Sequence, residues 1–489
     1  MILSGVNKKK TIGLSFAVIA MASLFMMSEQ IGLPIVGQRL LGILAFAVIV
    51  WMTEAIPYSI SAVVITALMV MAMGTAPVID DPIALIGSKN ALAIALSGFS
   101  SSALALVASA LVIALAMSQT GLDKRIALRI LSLVGTNTKN ILLGTMLVGT
   151  ILAFLVPSTT ARVSCLVPIM FGIVHAFNID EKSRFSAMLM ICAAQMASLW
   201  NIGIATAGAQ NFVALNYIEE EFGVSVSWLS WFIAGAPFSI ITGICLFFVM
   251  LYFMKPEMKK MPGSVDSIRL AYKKLGVITL AEKKLLVTSL LLLVAWATQG
   301  FLHPFDTASC TIIALAYLMF PIIGVLTWKQ VQTSLAWGTL ILFGVGISLG
   351  NALLDTGAAS WLANEMVDYF NIGALSVFGM IAALSLFLII IHLGFASATA
   401  LAASMLPIMI AIFNASSVEM NPVGMVLIMQ FIVSFGFILP VNSPQNMVVY
   451  ATSTFRSRDF IKIGLIITVI SYLVILLLSQ TYWKWIDLI

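Results

Sequence analysis

Long apolar runs with almost no charge dominate this sequence and decide what it can fold into. Of the 489 residues, 61% are hydrophobic and only 9% are charged, whereas about 25% are charged in ordinary soluble proteins. Many of the runs reach the roughly 20 residues that a helix needs to cross a bilayer. None shows the alternation of a membrane β-barrel. The sequence therefore predicts an all-α, polytopic membrane protein.

Two hydroxyl-rich segments interrupt runs that are otherwise apolar. They are Pro157-Ser158-Thr159-Thr160-Ala161-Arg162 and Ser397-Ala398-Thr399. Unpaired backbone groups in lipid cost several kcal/mol each, so irregular backbone needs protein or a water-filled cavity around it. A matching pair of interrupted segments in two halves of a chain is typical of a transporter's binding site. We interpret these two breaks as the centre of the molecule.

The apolar runs predict about 11 transmembrane helices. The expected spans lie near 12–27, 40–56, 59–73, 91–118, 185–203, 228–254, 285–302, 308–323, 340–354, 423–440 and 461–478. Segments 125–134 and 358–369 are amphipathic, and the first of them is expected on the membrane surface. Segments 139–177 and 374–413 each hold two apolar arms around one of the breaks. Each could be two full spans or a re-entrant helical hairpin, and the polar tips favour the hairpin.

The chain also shows an internal repeat. Thr120-Gly121 recurs as Thr356-Gly357 at an offset of 236, Ser158 matches Ser397 at 239, and Gln210-Asn211 matches Gln445-Asn446 at 235. We therefore divide the chain into a first segment (1–37), a first repeat (38–254), a linker (255–284) and a second repeat (285–489).

The charge distribution predicts the orientation of the chain. The linker carries eight basic and three acidic residues. The linker and the basic amino terminus are therefore both expected on the cytoplasmic side, with the protein in the inner membrane of the cell. With re-entrant hairpins, six crossings precede the linker and five follow it, which places the carboxy terminus outside and inverts the second repeat. Counting the first hairpin as two spans gives eight crossings, so parity alone leaves both readings open.

The breaks define the candidate substrate site. Helices that end at the two tips would direct free N–H groups and hydroxyls into one space, which suits a molecule with a carboxylate at each end. The substrate-binding candidates are Ser158, Thr159, Thr160, Arg162, Gly208, Asn211, Ser397, Ala398, Thr399, Asn442, Ser443 and Pro444, with His392, Gln445 and Asn446 as accessory candidates. Intramembrane hydroxyls and amides also join helices, and that reading stays open for any one of them.

Arg162 is the sharpest single candidate, because a cation near the membrane centre is expensive and marks function by default. It could attract an anion, or hold the empty site together in place of a metal cation, or extend to an interface. No cofactor, metal site or nucleic-acid partner is expected. The four cysteines are scattered singly, and no acid dyad or Ser/His pair suggests a hydrolase.

The motifs together resemble the divalent anion/sodium symporter family. The family's Trp-x-Thr-Glu-Ala-Ile-Pro segment appears at residues 51–57, its Ser-Asn-Thr tips correspond to residues 158–160 and 397–399, and its unwound motifs correspond to the two Gln-Asn stretches. The resemblance covers nearly the whole chain. It implies a homodimer whose protomers each have a scaffold domain and a transport domain that moves like an elevator, with no enzymatic activity.

Two departures from the family pattern set the expected coupling. In sodium-coupled members the tip asparagines help to build cation sites, and here Thr159 and Ala398 replace them. The Pro-Ser-Thr-Thr-Ala-Arg form resembles the branch that exchanges citrate, succinate, tartrate, malate or 2-oxoglutarate. The resemblance thus implies exchange of C4–C6 di- and tricarboxylates without sodium. Sodium-coupled dicarboxylate symport is the alternative, and an anion channel is a remote one.

Overall fold

The computed structural model describes residues 8–28, 30–79, 81–260, 266–370, 375–416 and 418–489. The first half holds α1 (Lys8–Phe25), α2 (Ile35–Thr53), α3 (Tyr58–Gly74), β1 (Pro77–Val78), β2 (Asp81–Leu85), α4 (Ser88–Ala95), α5 (Ser102–Thr120), α6 (Leu122–Leu131), α7 (Thr138–Leu155), α8 (Thr159–Ala176), α9 (Arg184–Gly203), α10 (Ala209–Phe222) and α11 (Trp228–Phe253). The two strands pair as an antiparallel hairpin, Pro77 opposite Leu85.

The linker and the second half continue in the same manner. They hold α12 (Asp266–Lys274), α13 (Leu280–Ala297), α14 (Thr307–Met319), α15 (Trp328–Ser334), α16 (Trp337–Asp355), α17 (Ala358–Phe370), α18 (Val377–His392), α19 (Ala398–Ala415), α20 (Pro422–Val433), α21 (Pro444–Tyr450), α22 (Ser457–Gln480) and α23 (Tyr482–Trp485). Residue 374, the predicted start of the second hairpin, lies outside the described residues.

Nine helices within the described ranges are long and apolar enough to cross a membrane, and shorter apolar helices accompany them. The predicted polytopic, mostly helical membrane protein is confirmed. The number of crossings and the orientation of the termini stay predictions, because length and composition alone do not fix them.

The prediction of one unbroken span over residues 91–118 is wrong. The structure instead has α4, a 3₁₀ turn at Ser97–Ser100, and α5. The backbone at Gly98 lies directly against α16, where a Cβ would overlap a backbone carbonyl, and the Gly98 N–H donates to Ser348 Oγ over 2.9 Å. Ser101 then caps α5 by accepting from the N–H of Leu104. Glycine, serine and tertiary packing together break the apolar run here.

We describe the helices as two groups, each with members from both halves; the groups touch most closely where α16 packs on α19. The inner helices are α7–α11 and α18–α22; among them α10 packs on α19 and α20, and α21 packs on α8 and α9. The frame helices are α1–α5 and α13–α16; among them α16 packs on α3 and α4, and α14 packs on α5. The amphipathic helices α6 and α17 connect the two groups in each half.

The linker is fastened to the first half near α6. Arg125, on α6, donates from Nε to Glu282 Oε1 over 2.7 Å and from Nη2 to Glu282 Oε2 over 3.1 Å. The side chain of Glu282 is only 4% exposed, and the residue also forms a capping box with Thr279 at the start of α13. This charge pair holds the connecting helix α6 against the first turn of α13, at the end of the linker.

Candidate functional site

Both hydroxyl-rich tips open into one cavity of about 550 Å³ between the inner and the frame helices. Its wall consists of Tyr58, Ser59, Leu111, Pro157, Ser158, Thr159, Thr160, Asn201, Ala209, Gln210, Ala336, Gly338, Thr339, Leu342, Ala396, Ser397, Ala398, Thr399, Ser434, Ser443, Pro444 and Gln445. Each half contributes a tip and an unwound stretch. The two breaks that the sequence singled out therefore lie together inside the protein.

The cavity wall combines apolar surface with many hydroxyl and amide side chains, and it carries no charged side chain among the described residues. Six helices begin at this wall, namely α3, α8, α10, α16, α19 and the short α21. The first turn of a helix has N–H groups without intrahelical partners and the positive end of a dipole equivalent to roughly half a charge. Their convergence makes the cavity attractive to anions and leaves no carboxylate in its wall to repel them.

The two tips have the same local structure. Ser158 caps α8 by accepting from the N–H of Ala161 over 3.4 Å, and Ser397 caps α19 by accepting from the N–H of Ala400 over 3.3 Å. Because the side-chain oxygen serves as acceptor, the hydroxyl hydrogen remains able to donate into the cavity. Each tip thus presents a hydroxyl donor beside a helix N-terminus.

Arg162 lies behind the first tip, not at the cavity wall. It is 1% exposed, and its Nη2 donates to Asn201 Oδ1 over 2.6 Å, to the Ala207 carbonyl over 3.0 Å and to Thr159 Oγ1 over 3.2 Å. Thr159 Oγ1 itself donates to Asn201 Oδ1 over 2.8 Å. Among the described residues, no carboxylate pairs with Arg162, and its Nε and Nη1 have no protein partner. A positive charge is therefore held one residue layer behind the tip without a fixed counter-charge.

The second tip has no such cation. At the 239-residue offset, Leu401 takes the place of Arg162, and it is fully buried. The backbone before this tip is held by Asn442, whose Nδ2 donates to the carbonyls of His392 over 2.8 Å and Phe395 over 3.0 Å. The two ends of the cavity are alike in hydroxyls and helix termini but differ in the charge behind them.

The structure divides the predicted site residues into two sets. Those at the cavity wall are Ser158, Thr159, Thr160, Ser397, Ala398, Thr399, Ser443, Pro444 and Gln445. Those behind the wall are Arg162, Gly208, Asn211, His392, Asn442 and Asn446.

Two of the residues behind the wall, Asn211 and Asn446, stabilise the unwound stretches. The first donates from Nδ2 to the Asn201 carbonyl over 2.7 Å, and the second donates to the Gly436 carbonyl over 2.7 Å. His392 is 2% exposed, and within the described chain neither of its ring nitrogens has a hydrogen-bond partner.

Sequence reasoning missed several residues of the wall. Asn201 is a single amide at the end of an apolar run, and Ser434 lies 236 residues after Ser198, so both carried a signal that the repeat could have revealed. Tyr58, Ser59 and Thr339 carried none, because only the packing of the frame helices places them opposite the tips.

Comparisons with known proteins agree with this architecture. The profile of the sodium:sulfate symporter transmembrane region matches residues 8–489. A protein of Cupriavidus necator described as a membrane protein is 48% identical over 473 residues, covering 97% of this chain and 92% of that protein. The sodium-dependent dicarboxylate transporter SdcS of Staphylococcus saprophyticus is 28% identical over 453 residues, with 87% of this chain and 82% of the relative covered.

A solved structure gives the likeness in fold. The crystal structure of the Alcanivorax borkumensis YdaH transporter superposes with a TM-score of 0.56 at 14% identity, covering 88% of this chain and 98% of that one. At this identity the similarity concerns the fold alone.

Proposed function

The chain belongs to the sodium:sulfate symporter family, and from this premise we propose that it is a secondary transporter that exchanges dicarboxylate anions across the cell membrane. The observation that carries the proposal is the cavity in which six helix N-termini meet, two of them the serine-capped tips, with no carboxylate in the described wall. Neutral N–H and O–H donors with converging dipoles bind carboxylates. They form no tight ion pair that would keep the substrate from leaving. The family and the fold are those of transporters, not of enzymes.

The two tips favour a substrate with two acidic ends. Ser158 and Ser397 offer equivalent donors from the two halves, and a cavity of about 550 Å³ is large enough for C4–C6 di- and tricarboxylates. Succinate, malate, fumarate and 2-oxoglutarate belong to this class. The description of the Staphylococcus relative as a dicarboxylate transporter supports the same choice.

The surroundings of Arg162 favour exchange without sodium. The oxygens of Thr159, Asn201 and Ala207 converge on one guanidinium nitrogen. A hard cation such as sodium is bound by oxygens of this kind, and here Arg162 already uses them. A charge near the bilayer centre costs at least about 2.5–3.5 kcal/mol. An empty transporter that moves with this charge uncompensated is disfavoured, and an anion in the cavity removes that penalty. Only the substrate-loaded transporter then moves its cavity readily from one side of the membrane to the other. Transport is therefore obligatory exchange.

Sodium-coupled dicarboxylate symport is the second candidate. It is favoured by the description of the Staphylococcus relative as sodium-dependent. On either reading we propose that the inner helices move as one body against the frame helices, in an elevator-like step. We further propose a homodimer in the inner membrane with a cytoplasmic amino terminus and an external carboxy terminus.

The experiment uses purified protein in liposomes loaded with unlabelled succinate or with buffer alone. We expect labelled succinate to enter only the loaded liposomes, at the same rate with sodium or potassium outside. Uptake into empty liposomes that follows a sodium gradient would establish symport in place of exchange. No saturable uptake of any C4–C6 dicarboxylate under either condition would refute the substrate class.

Serine variants separate binding from folding in the same assay. We expect S158A and S397A each to raise the KM for succinate about ten-fold, equivalent to about 1.4 kcal/mol, because each removes a donor to the anion. S404A is the matched control. Ser404 is also buried on α19, but its hydroxyl bonds the Ala400 carbonyl of its own helix over 2.8 Å. Its substitution should leave the KM unchanged.

A further inference from the structure

Tyr217 connects an inner helix to a frame helix. It lies on α10, is fully buried, and its hydroxyl oxygen is 3.0 Å from the Gly346 carbonyl of α16 and 3.2 Å from the Ala403 carbonyl of α19. A phenol has one hydrogen to donate, so it satisfies one of the two carbonyls at a time or is shared between them. One acceptor belongs to the frame helices and the other to the inner helices.

The two acceptors do not depend equally on Tyr217. A helical carbonyl normally accepts from the N–H four residues later, and for Ala403 that position is Pro407, which has no N–H. Gly346 lies in the interior of the unbroken helix α16, where Gly350 supplies the N–H. Ala403 therefore needs the hydroxyl at membrane depth, whereas the bond to Gly346 can be released without leaving an unpaired group.

The fit around this contact is tight on the same face of α16. A Cβ at Gly350 would overlap the Tyr217 hydroxyl, and a Cβ at Gly346 would lie 2.7 Å from the Ala403 Cβ. Residues four apart share a helix face. The two glycines therefore let α10 and α19 lie directly on α16 at this level.

Throughout the described part of the chain, the bond from Tyr217 to Gly346 is the one side-chain hydrogen bond that joins the inner helices to the frame helices. The pairs formed by the other inner side chains stay within the inner group or reach the linker, as Thr138 does with the Met258 carbonyl. The remaining contact between the two groups is packing, which does not fix them at one position as a hydrogen bond does.

We propose that Tyr217 is a positioning residue of the transport cycle, whose hydroxyl holds the inner helices on the Gly346 carbonyl in this arrangement and transfers fully to Ala403 when they move. The inference rests on the proposed movement of the inner helices. It makes Tyr217 a switchable contact that sets how long this arrangement persists. Neither carbonyl is unpaired in either arrangement.

The test separates the loss of the Tyr217–Gly346 bond from the loss of the bond to the Ala403 carbonyl. P407A returns a backbone N–H to Ala403, so the double variant Y217F/P407A lacks only the bond to Gly346. We expect Y217F/P407A and P407A to have the same melting temperature. The succinate exchange rate at saturating substrate should differ between them two- to ten-fold with an unchanged KM. Y217F alone should melt lower than both, because Ala403 is then unpaired.

A second readout does not require transport. In a background without the native cysteines, Thr339→Cys reports access to the cavity by its rate of labelling with a membrane-impermeant maleimide. We expect Y217F/P407A to label at least two-fold more slowly than P407A from the side that labels faster in wild type. Equal labelling in the two proteins overturns the inference, even if wild type transports no dicarboxylate and the proposed function fails.

A further test uses Gly346 on α16 and does not depend on Pro407. G346A forces α16 away from Ala403 and should slow exchange or labelling at least five-fold. A403G in the same chain removes the clashing Cβ and should restore both rates to within two-fold of wild type. Failure of A403G to rescue a folded G346A protein would also contradict the proposed contact.

Discussion

Gln210 donates a hydrogen bond from Nε2 to Ser434 Oγ over 3.1 Å, and this pair joins the two halves of the chain at the cavity. Its counterpart, Gln445 to Ser198 over 3.0 Å, repeats the contact in the opposite sense. The glutamines lie 235 residues apart and the serines 236 apart. In each half, the glutamine lies on the helix that follows the unwound stretch and bonds a serine of the other half. The two bonds fix the two unwound stretches relative to one another.

Replacement of Gln210 or Gln445 by glutamate keeps the shape and adds a negative charge at the cavity wall. We expect Q210E and Q445E to weaken succinate binding at least ten-fold, because a fixed carboxylate opposes the positive potential of the helix N-termini. The measurement is the KM for exchange at pH 7. Q480E is the matched control, since Gln480 is exposed at the end of α22. If Q445E matched Q480E, the cavity would not be the anion site.

The interior arrangement was predictable at the positions where polar residues interrupt an apolar run. Ser158 and Ser397 stood out because each is a polar break in an apolar run, and the structure places both as helix caps at one cavity. The fourth span was not predictable from hydropathy, because the break at Gly98 depends on how closely α16 approaches. A single sequence carries no signal for that approach.

The position of Arg162 shows the same limit. The sequence marked it as a buried cation, and it is one, but its distance from the cavity depends on the fold of a segment about 40 residues away. Asn201 and the Ala207 carbonyl draw the guanidinium behind the tip. Which of several nearby polar atoms a long side chain selects is decided by the unwound backbone, not by its own neighbours in sequence.

Arg162 variants should separate transport from stability. We expect R162M to lose exchange at least 100-fold yet to fold with equal or higher stability, because it removes an unpaired buried charge. R162K keeps the charge but not the fork of donors, and should retain measurable exchange. Succinate counterflow and thermal unfolding in detergent provide both readouts. Wild-type exchange by R162M would remove the basis for coupling through this residue.

Glu282 should give the protein a pH-dependent increment of stability. Burial alone would raise the pKa of its carboxyl, but hydrogen bonds from Arg125 and Thr279 outweigh this and lower the pKa below its ordinary value of 4.5. A lowered carboxyl pKa stabilises the folded state above pH 4.5, and the contribution fades as the pH falls through the lowered value. We expect E282Q to cost about 1.5–3 kcal/mol at pH 7.

The measurement for Glu282 is the difference in melting temperature between wild type and E282Q at a series of pH values. The difference should shrink steadily below pH 4.5. E419Q serves as control because Glu419 is exposed, and its substitution should change the melting temperature little at any pH. A constant difference for E282Q across this range would show that the charge of Glu282 adds nothing to the pair.

Gly464 on α22 should be among the least replaceable glycines of the inner helices. A Cβ there would lie 2.7 Å from the carbonyl carbon of Phe437 and 2.8 Å from Ile438 Cα, in the unwound stretch between α20 and α21. Backbone atoms cannot rotate away, so we expect G464A to cost about 1–3 kcal/mol and to slow exchange by displacing the cavity wall. The control is G172A, because a Cβ at Gly172, inside α8, meets nothing within 4 Å. There alanine should stabilise the helix by about 0.5–1 kcal/mol. Equal melting temperatures for the two variants would mean that α22 does not pack on the unwound stretch as closely as the structure shows.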